Sequence, residues 1–231
     1  MIRFWGQPKL SRKNLQLMGL ELFLRQKTPN GWQLPEDFGR FTPQEISDLL
    51  IQTALNLDSK ILSLSLNLDP EQFIDPQFWV ALKNCQQHLG EIKLEVELTE
   101  HPAKHPIDSQ QIIQAAQKYY EAGIPLIIDD VGSEDNRLTR VLSLNPFVQE
   151  YKFAIQNFRQ TMTMAVILQQ LSFWCDQAVA QHKFITVEGI ESQQDLSALQ
   201  DYPIDMVQGY GLGKPTYLAT IQDTNLHSLK K

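Results

Sequence analysis

Pro125-Leu126-Ile127-Ile128-Asp129-Asp130-Val131-Gly132 is an apolar run that stops on two adjacent carboxylates and a glycine. Successive side chains of a strand point to opposite faces, so neighbouring aspartates share one site only where the strand stops and the backbone turns. Gly132 permits such a turn. Taken alone, the pair reads as a loop in which Asp130 caps whatever follows. The rest of the chain changes that reading, because polar residues recur late in other strand-like runs. Leu17-Met18-Gly19-Leu20 leads to Glu21, Ser63-Leu64-Ser65-Leu66 to Asn67, and Lys93-Leu94-Glu95-Val96 to Glu97. Phe147-Val148-Gln149-Glu150-Tyr151 leads to Lys152, Phe184-Ile185-Thr186-Val187 to Glu188, and Ile204-Asp205-Met206-Val207 to Gln208.

These seven runs read as strands, most of them separated by stretches long enough for a helix. In residues 63–68 the leucines fall on one face and Ser63, Ser65 and Asn67 on the other, and residues 93–98 alternate in the same way. A surface antiparallel strand would show that alternation too. The strand–helix rhythm instead predicts an α/β fold, a βα barrel, whose site lies where the C-terminal ends of parallel strands converge. Helices are predicted over residues 110–122, ended by Gly123, and over residues 161–182, where Met164, Ile167, Leu168 and Leu171 recur at helical spacing as core positions.

The 231 residues, 42% of them hydrophobic, suit one domain over 1–231, and no linker or repeat divides them. No apolar segment approaches the roughly 20 residues of a bilayer span, and Met1-Ile2-Arg3-Phe4-Trp5-Gly6 lacks a signal-peptide core, so a cytoplasmic protein without membrane contact is expected. A net charge of −7 argues against DNA as a partner. Part of that charge fits acidic ligands that a bound cation would neutralise. Cys85 and Cys175 read as buried thiols. Trp5, Trp32, Trp79 and Trp174 are scattered and read as core or subunit-contact residues rather than as a surface for base stacking. His101 and His105 are separated by Pro102, which rules out a helical zinc motif. Gly209 to Pro215 lacks the glycine and hydroxyl of a phosphate-binding loop.

Several short motifs occur in order along the chain: Glu21-Leu22-Phe23-Leu24-Arg25, Asn67, Glu97-Leu98-Thr99-Glu100, Asp129-Asp130-Val131-Gly132, Lys152, Glu188-Gly189-Ile190-Glu191, and Gln208-Gly209-Tyr210 with Lys214-Pro215. From about Gln7-Pro8 onwards this series resembles the EAL domain family, the bacterial phosphodiesterases that open cyclic di-GMP. The resemblance implies a modified TIM barrel with one antiparallel strand, a homodimer, and two Mg²⁺ or Mn²⁺ ions. By position, Glu21, Asn67, Glu97 and Asp129 correspond to ligands of one metal, and Asp129, Asp130 and Glu188 to ligands of the other. Such hard oxygen donors suit these cations. Lys152 corresponds to the residue that contacts the attacking water, and Glu188 to an assisting base. Arg25 corresponds to a phosphate-gripping residue, and Phe23 lies in the substrate pocket. Gln208 and Glu191 position substrate and ligands, and Glu100 steadies the loop after the Asp pair. The implied reaction is hydrolysis of cyclic di-GMP to linear pGpG.

The chain departs from the family pattern in its loop Gly132-Ser133-Glu134-Asp135-Asn136-Arg137, which loses a glycine and gains charges. Ala154 stands where the family has an aspartate, Leu22 and Phe23 replace the Ala and Leu of the name motif, and the stretch between Arg25 and Asn67 is abbreviated. These departures leave open a second reading, a catalytically weak or silent module that binds cyclic di-GMP or a regulatory protein partner.

Overall fold

A computed structural model describes residues 1–99, 103–133 and 136–223. The first elements are β1 (Ile2–Ser11), β2 (Leu17–Thr28), β3 (Gly31–Gln33), α1 (Pro43–Ala54), β4 (Ser63–Leu68), α2 (Pro70–Ile74), α3 (Pro76–Gln86) and β5 (Lys93–Leu98). There follow α4 (Ser109–Glu121), β6 (Leu126–Ile128), α5 (Leu138–Leu144), β7 (Val148–Ala154), α6 (Ile155–Phe158), α7 (Met164–Ala180), β8 (Phe184–Glu188), α8 (Gln193–Ala198), β9 (Met206–Val207) and β10 (Thr216–Tyr217).

Strands β2, β4, β5, β6, β7, β8 and β9 pair in parallel, and β1 closes the ring by pairing antiparallel with both β2 and β9. The result is an eight-stranded barrel with one reversed strand, as expected. Strand β1 was not among the seven runs, because Gly6 and Pro8 weaken its strand signal. Pro8 is tolerated because the second edge of β1 pairs with β10 at residues 5–6 and with β9 at residues 10–11, leaving a gap between them. Strands β3 and β10 stand outside the ring, one on β2 and one on β1.

The alternation in the strands separates two environments. Leu64, Leu66, Leu68, Leu94, Val96, Leu98, Tyr151, Phe153, Ile185 and Val187 face outward and are buried beneath the helices. Barrel interiors are usually filled by branched apolar side chains. Here the lower lumen holds Lys9, Glu95, Glu150 and Thr186. Lys9 Nζ lies 3.0 Å from a Glu95 oxygen and 3.4 Å from Glu150, and the Thr186 hydroxyl donates to Glu150 at 2.6 Å. Burial opposes the charge on Lys9, but Glu150 and Glu95 more than offset it and hold its pKa above the ordinary lysine value.

Helix α1 starts on a reciprocal cap between Thr42 and Glu45, and α4 on one between Asp108 and Gln111. Helix α4 lies within a residue of its predicted ends, whereas α7 is shorter than the predicted 161–182. Ile167 and Leu171 are buried in the core, with Met164 and Leu168 at its edge. Cys85 and Cys175 are free and buried, and burial pushes their thiols up to about 11 and about 12, which removes them as nucleophiles at neutral pH. Among the described residues no helix is long and apolar enough to cross a membrane.

The lumen triad sets a stability test. Lys9→Met leaves Glu95 and Glu150 facing each other without a cation and should cost about 3–5 kcal/mol. Replacing the three residues together by apolar ones should recover most of that loss. Urea unfolding of the two variants at one pH distinguishes this from a plain packing defect, which the triple change would worsen.

Candidate active site

The next inward-facing residues up the barrel form the site. On β5, Glu97 stands two residues above Glu95, and on β7 Lys152 stands two above Glu150. Register brings Asn67 beside Glu97, and on β1 places Gln7 opposite Glu21. Lys152 is the hub. Its Nζ lies 2.5 Å from Glu97, 2.5 Å from Glu188, 3.2 Å from Glu21 and 3.3 Å from Asp129, with no solvent exposure of its own. Two amides complete the setting of Glu21. Asn67 Nδ2 donates to it at 2.7 Å and Gln208 Nε2 at 2.6 Å.

Asp129 and Asp130 reach the same place by a backbone device. The turn begins on Asp130 itself, whose φ is 48°, and only then passes to Gly132 at φ 90°. A left-handed non-glycine residue costs roughly 1–2 kcal/mol, and such strain persists where the surroundings fix it. Asn136 does much of that fixing. It is fully buried, its Nδ2 donates to the Asp129 carbonyl at 2.5 Å, and its carbonyl accepts from the Gly132 amide. Gly132 must be glycine for a second reason, since a Cβ there would sit 2.9 Å from Trp174 Nε1. One carboxylate oxygen each from Asp129, Asp130 and Glu188 lies within 4.8 Å of the other two.

Five carboxylates thus surround one ammonium, an excess of about four negative charges if all are ionised. The protonation pattern answers to that excess. Burial raises Glu97 to about 8, reinforced by Glu21 and only partly relieved by Lys152. Burial also lifts Glu188 well above the carboxylate range despite Lys152. Burial acts on Glu21 in the same sense, but Lys152, Asn67 and Gln208 overcome it and lower its pKa. Lys152 is raised, because Asp129, Glu188, Glu21 and Glu97 together outweigh its desolvation. The donor set fits divalent metal ions. It consists of hard oxygens, and the buried Asn67 Oδ1 and Glu97 Oε1 have no hydrogen-bond partner in the protein.

A cleft of about 400 Å³ opens over this centre between Phe23, Glu191, Gln208 and Tyr210. On the far side of Phe23 a second, apolar cavity of about 260 Å³ runs past Leu34, Phe38, Ile46 and Phe78 to Asn67 and Asp129. It lies beneath the abbreviated stretch that follows Arg25. Phe23 and Arg25 continue along β2 on the same face as Glu21, above the barrel rim. Glu21 is therefore mid-strand rather than late in its strand, because β2 runs on to Thr28 by pairing with β1 and β3. Ala154, where the family has an acid, is buried opposite Glu188 in the β7–β8 ladder.

Glu191 lies at the cleft mouth, largely exposed, 4.0 Å from Arg159. Glu100, His101, Glu134 and Asp135 lie outside the described residues. Gln7, which none of the motifs includes, is buried level with Glu21 and donates to the Gly213 carbonyl at 3.1 Å. In the sequence Asn136 is one polar residue in a charged loop. Only its place seven residues after Asp129 hinted at a closing contact.

A barrel with a carboxylate-rich, metal-compatible rim defines the general class. The family model of the EAL domain matches residues 2–215, and the chain belongs to that family. It is 21% identical, over 90% of its own length and 42% of the relative's, to PdeN of Escherichia coli, a probable cyclic di-GMP phosphodiesterase. It is 30% identical to NbdA of Pseudomonas aeruginosa, a cyclic di-GMP phosphodiesterase, over 60% of this chain and 17% of the relative. The chain thus spans about two fifths or less of these curated relatives. Its fold matches that of Klebsiella pneumoniae BlrP1, solved as a calcium and cyclic di-GMP complex, with a TM-score of 0.77 at 19% identity, covering 94% of this chain and 56% of that one.

The protonation pattern predicts that cation binding expels protons. Glu97, at about 8, holds its proton at pH 7 and must lose it to act as a ligand. Mn²⁺ affinity should rise with pH through about 8, as Glu97 loses its proton, and Glu188, also raised, adds to the rise. Calorimetric titrations in two buffers of different ionisation enthalpy should show proton release at pH 7 that diminishes as the pH is raised through 8.

Proposed function

We propose that the chain is a metal-dependent phosphodiesterase that hydrolyses cyclic di-GMP to linear pGpG. The observation that carries this reading is the convergence of five carboxylates, the Asn67 amide and Lys152 on one point at the C-terminal rim of the barrel. Family membership and the names of the curated relatives support the substrate. Glu21, Asn67, Glu97 and Asp129 would hold one ion, and Asp129, Asp130 and Glu188 the other. Two Mg²⁺ or Mn²⁺ ions bound there supply Lewis acidity to the phosphodiester and lower the pKa of the attacking water.

The protein's own groups do the rest. Lys152, anchored by Glu97 and Glu188 beneath the cleft, would be the proton donor facing that water. Glu188, beside Asp129 and Asp130, would assist as the base once it has given up its own proton. Arg25 grips a phosphate through its planar fork, Phe23 packs on the substrate, and Gln208 fixes Glu21 while reaching into the cleft. Glu191 borders the substrate at the mouth, and Glu100 is assigned to support of the loop after the Asp pair. Water adds across one P–O bond. The P–O3′ bond breaks, the phosphate stays on one ribose as a 5′-phosphate, the other ribose keeps its oxygen as a free 3′-hydroxyl, and the second phosphodiester still joins the two.

Incubation with cyclic di-GMP and Mn²⁺ or Mg²⁺ should yield pGpG. Glu21→Ala and Asp129→Asn should each lower kcat by at least about 100-fold. Absence of turnover with either metal, in a sample whose circular dichroism shows the fold intact, would overturn the enzymatic reading. Retained dinucleotide binding in that sample would instead favour a silent binding module.

A further inference from the structure

The antiparallel pairing of β1 with β2 carries the lumen face upward past the rim. Opposed residues of an antiparallel pair share a face, as do residues two apart on one strand. From the metal level outward, that face reads Gln7 and Glu21, then Trp5 and Phe23, then Arg3 and Arg25. Each step is about 7 Å, so Trp5 stands one step above the carboxylates, within reach of a base whose own phosphate lies at the metal level. Phe23 lines the cleft directly.

The Trp5 ring is held from two sides. Tyr217 on β10 opposes Trp5 in register with ring centroids 5.1 Å apart, and Trp32 crosses from β3 to 5.2 Å, both edge-on. Lys27 Nζ lies 5.4 Å from the centre of the Trp32 ring. Trp5, Trp32 and Phe23 are only partly buried and Tyr217 is 41% exposed, so this cluster is not core. Its setting is also distinctive in charge. In a chain of net charge −7, Arg25 and Lys27 follow Phe23 on the same face. Arg3 is already committed to Asp223 at 2.8 Å.

Partly exposed rings flanked by cations, one step from a phosphodiester-cleaving centre, match a ligand that is flat, aromatic and anionic. We propose that Trp5, beside Phe23 and braced by Trp32 and Tyr217, is a stacking shelf for one purine base of the substrate and so a determinant of substrate affinity. This replaces the expectation of a core or subunit-contact role for Trp5 and Trp32. It rests on the reading that the substrate is a cyclic dinucleotide. Stacking on an aromatic ring is tolerant of base identity and acts on ground state and transition state alike.

The test separates stacking from mere support of the ribbon. Trp5→Leu keeps an apolar side chain and removes the ring, and Trp5→Phe keeps a smaller ring. Trp5→Leu should raise KM for cyclic di-GMP roughly tenfold or more with kcat within about twofold, and Trp5→Phe should recover most of the affinity. With calcium as the metal, titrating cyclic di-GMP should quench tryptophan fluorescence in the parent protein, and much less in Trp5→Leu. An unchanged KM and unchanged quenching in a folded Trp5→Leu protein would overturn the shelf, as would a fall in kcat at constant KM. If the leucine variant fails to fold, Trp5→Phe decides, since a smaller ring should still raise KM measurably and parent-like values would overturn the proposal. A parent protein that shows Trp5-dependent quenching with calcium but no turnover with Mn²⁺ or Mg²⁺ would sink the phosphodiesterase reading while supporting the shelf. Loss of quenching together with turnover would sink both.

Discussion

One ammonium placed among four carboxylates organises this barrel. Lys152 has no exposed surface and reaches Glu21, Glu97, Asp129 and Glu188 on four different strands or strand ends. Burying such charges is costly unless each has a partner, so the surrounding sequence is constrained on every strand that faces them. Lys152, with the amides of Asn67 and Gln208, lowers the pKa of Glu21 against its burial, and the lower level, Lys9 with Glu95 and Glu150, extends the same logic downward. A lumen filled with charge contributes little hydrophobic stabilisation. The apolar driving force comes from the other face of the same strands, where leucines, valines and aromatic residues pack under the helices. The alternation that makes the site therefore also makes the core.

This double use explains what could be read from the sequence. Residues 63–68 and 93–98 alternate so strictly that one face had to be polar and enclosed or polar and wet. The recurrence of Asp129, Lys152, Glu188 and Gln208 at the ends of other runs favoured the enclosed arrangement. Strand β1 was not legible, because its inward residues include Lys9, and Gly6 and Pro8 interrupt it. Its place is decided by pairing on both edges, which is non-local. The extension of β2 beyond Glu21 was hidden for the same reason, since residues 26–28 are strand only because β3 and β1 lie beside them. Asn136 escaped notice because its role depends on a carbonyl seven residues away.

The departures from the family pattern acquire different weights once placed. Leu22 faces outward into the core, so replacing a smaller residue there changes packing rather than chemistry. Phe23 faces the cleft and separates two cavities, so it changes the shape offered to a ligand. Ala154 sits against Glu188 in the ladder, where a carboxylate would have added a further negative charge to a centre already rich in them. Within the unusual loop, Asn136 supplies by one side chain a tether to Asp129, and Asp130 accepts a left-handed backbone to keep both carboxylates on the site. The loop has changed its composition while holding the Asp pair in place.

The reversed strand gives the rim its asymmetry. A parallel strand entering from below would present its last inward residue at the rim and then turn into a helix. Strand β1 runs the other way, so its inward residues descend from Arg3 and Trp5 through Gln7 at the metal level to Lys9 in the lower lumen. Paired with it, β2 can continue upward for three more inward positions after Glu21, which a strand bounded by a crossover helix could not do. One side of the cleft is consequently a tall two-stranded wall carrying aromatic and cationic residues, and beside it lie the lower turns after β8 and β9 that bear Glu191 and Tyr210. The rim above the carboxylates therefore carries rings and positive charge on the tall wall, and a carboxylate, Glu191, on the lower part next to it. That difference in height follows from the direction of a single strand.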